Sequence, residues 1–232
     1  VRVRVRVSGR RRRGWCRRTL ILTLAGSLLH PHLHPNPSPN PDTSLSPNPS
    51  PSPDQVPPLL LDVRPGHAVL DMCASPGSKT TQIVEAIAAA AAGTASSGVV
   101  VANDAHPRRV DTLREAIARH KRRNEEMESL VVTCAMGQDV PVPEFEDGSG
   151  FHAVLADAPC SGDGTLRKDP DVLRRWHPGA GNALHLTQVA VARRAASLVR
   201  PGGHLLYSTC SLNPVEDEAV VAAILEGPGG DE

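Results

Sequence analysis

The amino-acid sequence predicts a doubly wound α/β domain, and three observations carry that prediction. Short apolar runs recur along residues 57–232, they are continuous rather than alternating, and segments of helical period separate them. A run that is apolar at every position suits a parallel strand buried on both faces. HAVLDM (67–72) is the first such run; the Pro76-Gly77 turn follows it, ahead of the Ala-rich helical segment KTTQIVEAIAAAAA (79–92). GVVVAN (98–103) is the second strand, and PRRVDTLREAIARHKRR (107–123) is the helix after it. SLVVTC (129–134) and FHAVLAD (151–157) are the third and fourth strands. The helix LHLTQVAVARRAASLVR (184–200) then leads into the fifth, GHLLYS (203–208). Ligands of such sheets bind beyond the carboxyl ends of the strands, near the reversal of strand order. Asp71, Asp104, Asp157 and Cys210 all fall at or just past such ends. A single aspartate there is ordinarily a turn or cap residue. Four chemically useful groups on one rim point to a site.

The first third of the chain has a different character. Residues 1–18 carry nine of the 25 basic residues and no acid, and residues 31–53 are a Pro/Asn/Ser repeat. Such a repeat has too little apolar surface to offset chain entropy, so residues 1–56 are expected to be low-complexity and disordered, with the folded domain spanning 57–232. RRTLILTLAGSLL (17–29) has the apolar character of a signal h-region, and the Arg-rich start leaves an organelle transit peptide open. No run reaches the roughly 20 apolar residues of a membrane span. The zero net charge averages two unlike parts: residues 54–232 hold 16 basic against 24 acidic side chains. Polyanion-binding surfaces are ordinarily basic, so an RNA-binding role needs charge from elsewhere. Five cysteines (Cys16, Cys73, Cys134, Cys160, Cys210) show no C-x-x-C pair and no metal-ligand spacing. Free thiols in a reducing compartment, and no metal, are expected.

The turn DMCASPGSKTT (71–81) departs from the phosphate loops. Ser78 precedes Lys79 and Cys73 stands where a P-loop has its first glycine, and the dinucleotide pattern G-x-G-x-x-G is absent. A Pro-Gly turn remains, letting backbone approach a ligand at a helix N-terminus where a carboxylate is favoured. Asp104, at the end of the second strand, is placed to hold a ribose diol. A nucleoside with a carboxylate tail and no phosphate satisfies both features, and S-adenosylmethionine is such a molecule. Asp157-Ala158-Pro159-Cys160 follows the fourth strand. A thiolate there suits methylation of an unactivated ring carbon, because addition to C6 of a pyrimidine makes C5 electron-rich. The competing reading makes both thiols small core residues.

PPLLLDVRPGHAVLDMCASPGSKTTQ, DAPCSGDGTLRKDPD, RRWHPGAGNALHLTQ and RPGGHLLYSTCSLNPVEDEAVV together resemble the RNA cytosine-5 methyltransferases of the RsmB/Sun family, over residues 57–225. The wording P-G-S-K-T-T-Q, G-D-G-T-x-R-K and S-T-C-S-x-N-P is closer to the eukaryotic multisite tRNA branch than to the bacterial ribosomal RNA branch. The resemblance implies a Rossmann-like S-adenosylmethionine-dependent methyltransferase fold and RNA, above all tRNA, as substrate. It also implies a nuclear location and a monomer. Cys210 would attack C6 of cytosine, and Cys160 would assist removal of the C5 proton and release of the enzyme. Asp157 would sit at the cytosine's polar edge, with Lys79 reaching the same region. Cys73, Ala74, Ser75, Pro76, Gly77, Ser78 and Lys79 would wrap the donor, with Asp157 beside it. Asp104 would take its ribose and Asp139 its adenine. Arg109 is either a brace for the ribose site or a solvated helix residue.

The chain departs from the family mildly at Ser75, usually Ala, and at Arg193-Arg194-Ala195 in place of R-G-A. The family also continues past residue 225 into a further strand and carries an N-terminal RNA-binding region, so the resemblance implies a fragment whose basic RNA surface lies in the missing parts. A ribosomal RNA methyltransferase and a non-catalytic remnant that binds cofactor without turnover stand as alternatives.

Overall fold

The computed structural model describes residues 56–91, 98–121, 130–141, 145, 149–166 and 169–227, and the backbone alone of 2–6 and 19–24. Its strands are β1 (Arg2–Arg6), β2 (Thr19–Leu24), β3 (Ala68–Asp71), β4 (Val99–Asp104), β5 (Leu130–Cys134), β6 (Phe151–Asp157) and β7 (Val199–Thr209). The helices are α1 (Val56–Leu60), α2 (Ser78–Ala91), α3 (Pro107–Lys121), α4 (Val172–Arg175), α5 (Gly179–Leu198) and α6 (Glu218–Glu226).

One sheet holds all seven strands in the order β1-β2-β7-β6-β3-β4-β5. Every pairing from β2 to β5 is parallel, and β1 runs antiparallel to β2. The chain runs outward from β3 through β4 to β5, then returns to β6 on the other side of β3. That reversal creates the crevice beyond the carboxyl ends of β3 and β6.

The continuous apolar runs arise because both faces of the sheet are covered. Leu70, Val154, Ala156, Leu205 and Tyr207 point into one core with Val189, Ala192 and Ala195 of α5 and Val220 and Ile224 of α6. Val69, Val100, Ala102, Leu155 and Leu206 point into the other, with Ile83 and Ile87 of α2 and Leu113 and Ile117 of α3. Leu155 and Leu206 lose all contact with solvent; each such side chain contributes about 1.5–3 kcal/mol.

All five expected strands form, with bounds shifted by a residue or a few. Two differences are informative. The last long helix starts at Gly179, ahead of the expected Leu184, and its first turn includes Gly181, where close approach of the next loop leaves no room for a side chain. A Cβ there would collide with Asn213 Nδ2 and lie 3.1 Å from Glu216 Cγ. β7 takes Val199 and Arg200 from the end of that expected helix, since Val199 pairs with Phe151. In the N-terminal segment, Arg2–Arg6 and Thr19–Leu24 extend the sheet past β7, where the sequence reading expects no folded structure. Alternating Val and the run TLILTL both suit strands. Cys16 and the Pro/Asn/Ser repeat at 31–53 lie outside the described residues, as do Arg122, Arg123 and Ser129. Among the described residues no helix is long and apolar enough to cross a membrane, and no three His, Cys, Asp or Glu side chains group as metal ligands.

Candidate active site

The turn between β3 and α2 is laced to its neighbours by backbone. Met72 N donates to Leu155 O of β6 at 2.9 Å, and Ala74 N donates to Asn103 O of β4 at 2.8 Å. Ser75 N donates to Asp104 Oδ2 at 3.2 Å. Cys73, Ala74, Ser75, Pro76 and Gly77 therefore cross the rim of the crevice in one fixed path. Gly77 has φ +108°, and a Cβ on it would stand 3.0 Å from Leu113 Cδ1, so the tight entry into α2 at Ser78 requires glycine.

Asp104 closes β4 with its side chain only 5% exposed, although that of Arg109 is 58% exposed. Arg109 Nε lies 3.1 Å from both Asp104 oxygens, and its Nη2 reaches Ser75 O at 3.0 Å. Arg109 thus ties Asp104 to the Ser75 carbonyl while more than half of its side chain stays in solvent. Asn103 escaped the sequence reading, yet it is fully buried and uses its whole amide. It donates to Met72 O and Ala135 O and accepts from Ala135 N and Thr133 Oγ1, at 2.9–3.0 Å. It ties the carboxyl ends of β3, β4 and β5 together; the polar residue ending the apolar run GVVVAN was its only signal. Asp71 is buried at the end of β3, where Thr80 Oγ1 donates to Oδ2 at 2.8 Å and Oδ1 has no partner. Burial first, then the nearby Asp157 carboxylate, push its pKa up to about 7 despite the Thr80 bond. Burial and the Asp71, Asp104 and Asp157 carboxylates push the Cys73 thiol up to about 12, which makes it unreactive at neutral pH. Asp139 lies in the 3₁₀ turn Gly137–Asp139 after β5, exposed to solvent.

On the other side of the reversal, Lys79 Nζ from α2 meets Asp157 Oδ2 at 2.8 Å, and Ser208 Oγ donates to Asp157 Oδ1 at 2.6 Å. Asp157 and Ser208 are register partners on β6 and β7. Because these strands are adjacent and parallel, the loops leaving them emerge side by side. Cys160 and Cys210 are consequently brought together, with their sulfurs 3.0 Å apart, and neither is in a disulfide. Cys210 N also donates to Cys160 Sγ at 3.2 Å. A hydrogen bond from the Cys160 thiol holds the Cys210 pKa below the ordinary thiol value, against the effect of burial. The same bond and burial push Cys160 up. The pair is asymmetric, one sulfur biased toward thiolate and the other toward thiol. Glu216, within the run NPVEDE, also escaped the sequence reading; it is fully buried behind both cysteine loops.

Residues 58–228 match the family model 16S rRNA methyltransferase RsmB/F. The chain belongs to the RsmB/F methyltransferase family. A tRNA (cytosine(34)-C(5))-methyltransferase of Drosophila melanogaster is 43% identical over 182 residues, covering 75% of this chain and 24% of that protein. The multisite-specific tRNA:(cytosine-C(5))-methyltransferase trm4b of Schizosaccharomyces pombe is 41% identical over 194 residues, covering 75% and 28%. This RsmB/F chain thus spans about a quarter of the length of these relatives. A methyltransferase homolog protein from Pyrococcus horikoshii shares its fold with a TM-score of 0.58 and 27% identity, over 75% of this chain and 49% of that one. The doubly wound α/β architecture is accordingly that of the RsmB/F domain.

Proposed function

We propose that the chain is the catalytic domain of an S-adenosylmethionine-dependent RNA cytosine-5 methyltransferase acting on tRNA in the nucleus. The observation that carries this reading is the asymmetric thiol pair, 3.0 Å apart, at the switch-point crevice beside the Lys79–Asp157 ion pair. C5 of cytosine does not attack an electrophile unaided, and a thiolate adding to C6 makes it able to do so. The residues on the rim fit the donor. α2 begins at the crevice with no acid in its first turn, so its positive end favours the donor's carboxylate. In this reading Asp104, whose carboxylate already accepts from Ser75 N, His106 N and Arg109, would exchange one of these contacts for the ribose, and Asp139 would meet the adenine. When bound, S-adenosylmethionine supplies an electrophilic methyl group.

Cys210 is the nucleophile in this reading. Its sulfur forms the bond to C6 and the ring electrons move toward C5, while Asp157, oriented by Lys79 and Ser208, steadies the cytosine's polar edge. Cys160 keeps its proton at this stage, because the Cys210 thiolate beside it raises its pKa. Once Cys210 is bonded to C6 that cause disappears, and the Cys160 thiol returns toward an ordinary pKa. Having released its own proton to solvent, Cys160 can then take the C5 proton as thiolate; the electrons of the broken C5–H bond re-form the C5–C6 double bond as the C6–S bond breaks and Cys210 leaves as thiolate.

The test uses the full chain with tRNA and S-adenosylmethionine, read by bisulfite sequencing and denaturing electrophoresis. Cys210→Ala should form neither product nor covalent adduct. Cys160→Ala should accumulate protein covalently joined to RNA. Exchanged phenotypes would make Cys160 the nucleophile; unchanged activity in both variants would refute the covalent route. Methylation of 16S ribosomal RNA but not tRNA would move the substrate to the other branch of the family.

A further inference from the structure

Four donors converge on the buried Glu216 carboxylate. Ser161 N and Gln188 Nε2 reach Oε1 at 2.8 and 3.0 Å, while Ser161 Oγ and, at 2.7 Å, Ser211 Oγ reach Oε2. A carboxylate offers about four lone-pair sites, so this one is fully engaged, and every donor is neutral. Burial works to raise its pKa, but the hydrogen bonds from Ser161, Ser211 and Gln188 outweigh burial and hold it below the ordinary carboxylate value. Glu216 is ionised at neutral pH.

The donors come from separate parts of the chain. Ser161 follows Cys160, Ser211 follows Cys210, and Gln188 of α5 also holds Pro159 O at 2.9 Å. The β6–β7 ladder runs out just before the cysteines, with Ala158 N donating to Ser208 O at 2.9 Å. Past that point the two loops also meet through Gly164 N to Cys210 O at 2.9 Å and Leu212 N to Asp163 Oδ1 at 2.8 Å. Ser161 Oγ and Ser211 Oγ also lie 3.4 Å from each other, and among the described residues it is the Glu216 carboxylate that accepts from the residue next to each cysteine. Its own backbone is fixed in turn, since Tyr207 OH donates to Glu216 O at 2.7 Å. Gly181 lets α5 lie close against it: a Cβ there would stand 3.1 Å from both Glu216 Cγ and Oε2.

We propose that Glu216 is a positioning residue that sets the separation of Cys160 and Cys210 by clamping Ser161 and Ser211 to one carboxylate. Its consequence for catalysis rests on the methyltransferase reading above; its consequence for thiol geometry does not. Glu216→Gln keeps the volume but leaves one acceptor oxygen and turns an NH2 group toward donors. In the full chain, kcat for RNA methylation should fall about 10²-fold, the scale of a small misplacement of reacting groups. S-adenosylmethionine affinity, read by calorimetry, should stay unchanged. The deciding measurement is the rate at which diamide, taking two electrons and two protons from the pair, closes a Cys160–Cys210 disulfide. That rate should drop at least about tenfold as proximity is lost.

Gly181→Ala presses a methyl group on Glu216 without altering its charge, and Ser161→Ala removes one clamp bond. Both should slow closure in the same direction, and they carry the test if Glu216→Gln does not fold. A glutamate that merely stabilises the fold would lower the melting temperature and leave closure at the wild-type rate in folded protein, which would overturn the proposal. Slowed closure in a chain that shows no methylation would uphold the positioning role and refute the reaction instead.

Discussion

Replacing Asp71 by asparagine should stabilise the protein more at alkaline than at acid pH. The carboxyl is fully buried, one oxygen has no partner, and its pKa rises from 3.8 to about 7, chiefly through burial. A raised carboxyl pKa means the folded state holds the proton more tightly than the unfolded chain. The stabilising contribution is therefore complete below pH about 4, where both states are protonated, and is lost as pH rises toward 7. Above that pH the folded protein carries an ionised, poorly solvated carboxylate, at a cost of about 4 kcal/mol. Asparagine keeps an acceptor for Thr80 and removes the titration. Unfolding free energies from urea titration of both proteins at pH 5 and pH 8 isolate the effect, because groups that do not interact with Asp71 cancel in the difference. The advantage of the variant should grow by about 2–3 kcal/mol between the two pH values. A gap that is constant, or that narrows as pH rises, would refute a buried, proton-holding Asp71.

Two further outcomes follow from the rim. Asn103→Ala leaves Met72 O, Ala135 O and Ala135 N without their side-chain partner, and at about 1 kcal/mol or more per orphaned group it should destabilise the fold by at least about 3 kcal/mol. Thermal unfolding checks this; a loss below about 1 kcal/mol would mean water replaces the amide. Asp104→Ala should weaken S-adenosylmethionine binding by about 1.5–3 kcal/mol, the scale of a hydrogen bond to a charged group, and equal affinities by calorimetry would remove Asp104 from the ribose site.

The strand and helix pattern was legible because burial on both faces writes itself into every residue of a stretch such as AVLD (68–71) or AVLA (153–156). The candidate residues were legible for a related reason: an apolar run that breaks on Asp or Cys marks a carboxyl end, and carboxyl ends are where this fold binds ligands. Family motifs then added roles to Lys79, Asp157, Cys160 and Cys210 that spacing does not supply. Asn103 and Glu216 stayed hidden, since an Asn at a strand end and a Glu beside a helix start are ordinary surface residues in any linear reading. Only the packing shows that each is buried with all its hydrogen-bonding capacity used.

What the linear order of residues determined here is the local periodicity, the class of fold and the inventory of reactive groups, all of which depend on neighbours in the chain. Tertiary structure decided how those groups meet. Fifty positions separate Cys160 from Cys210, and their sulfurs come within 3.0 Å because β6 and β7 pair in parallel with Asp157 beside Ser208. The asymmetry of the two thiols arises first from that contact, with burial and neighbouring backbone groups acting beside it. Arg109 became a brace only when α3 packed against the turn holding Ser75, and Gly181 acquired a reason only when α5 met Glu216. Register between strands and close approach between helix and loop depend on long-range contacts, and no window along the chain contains them.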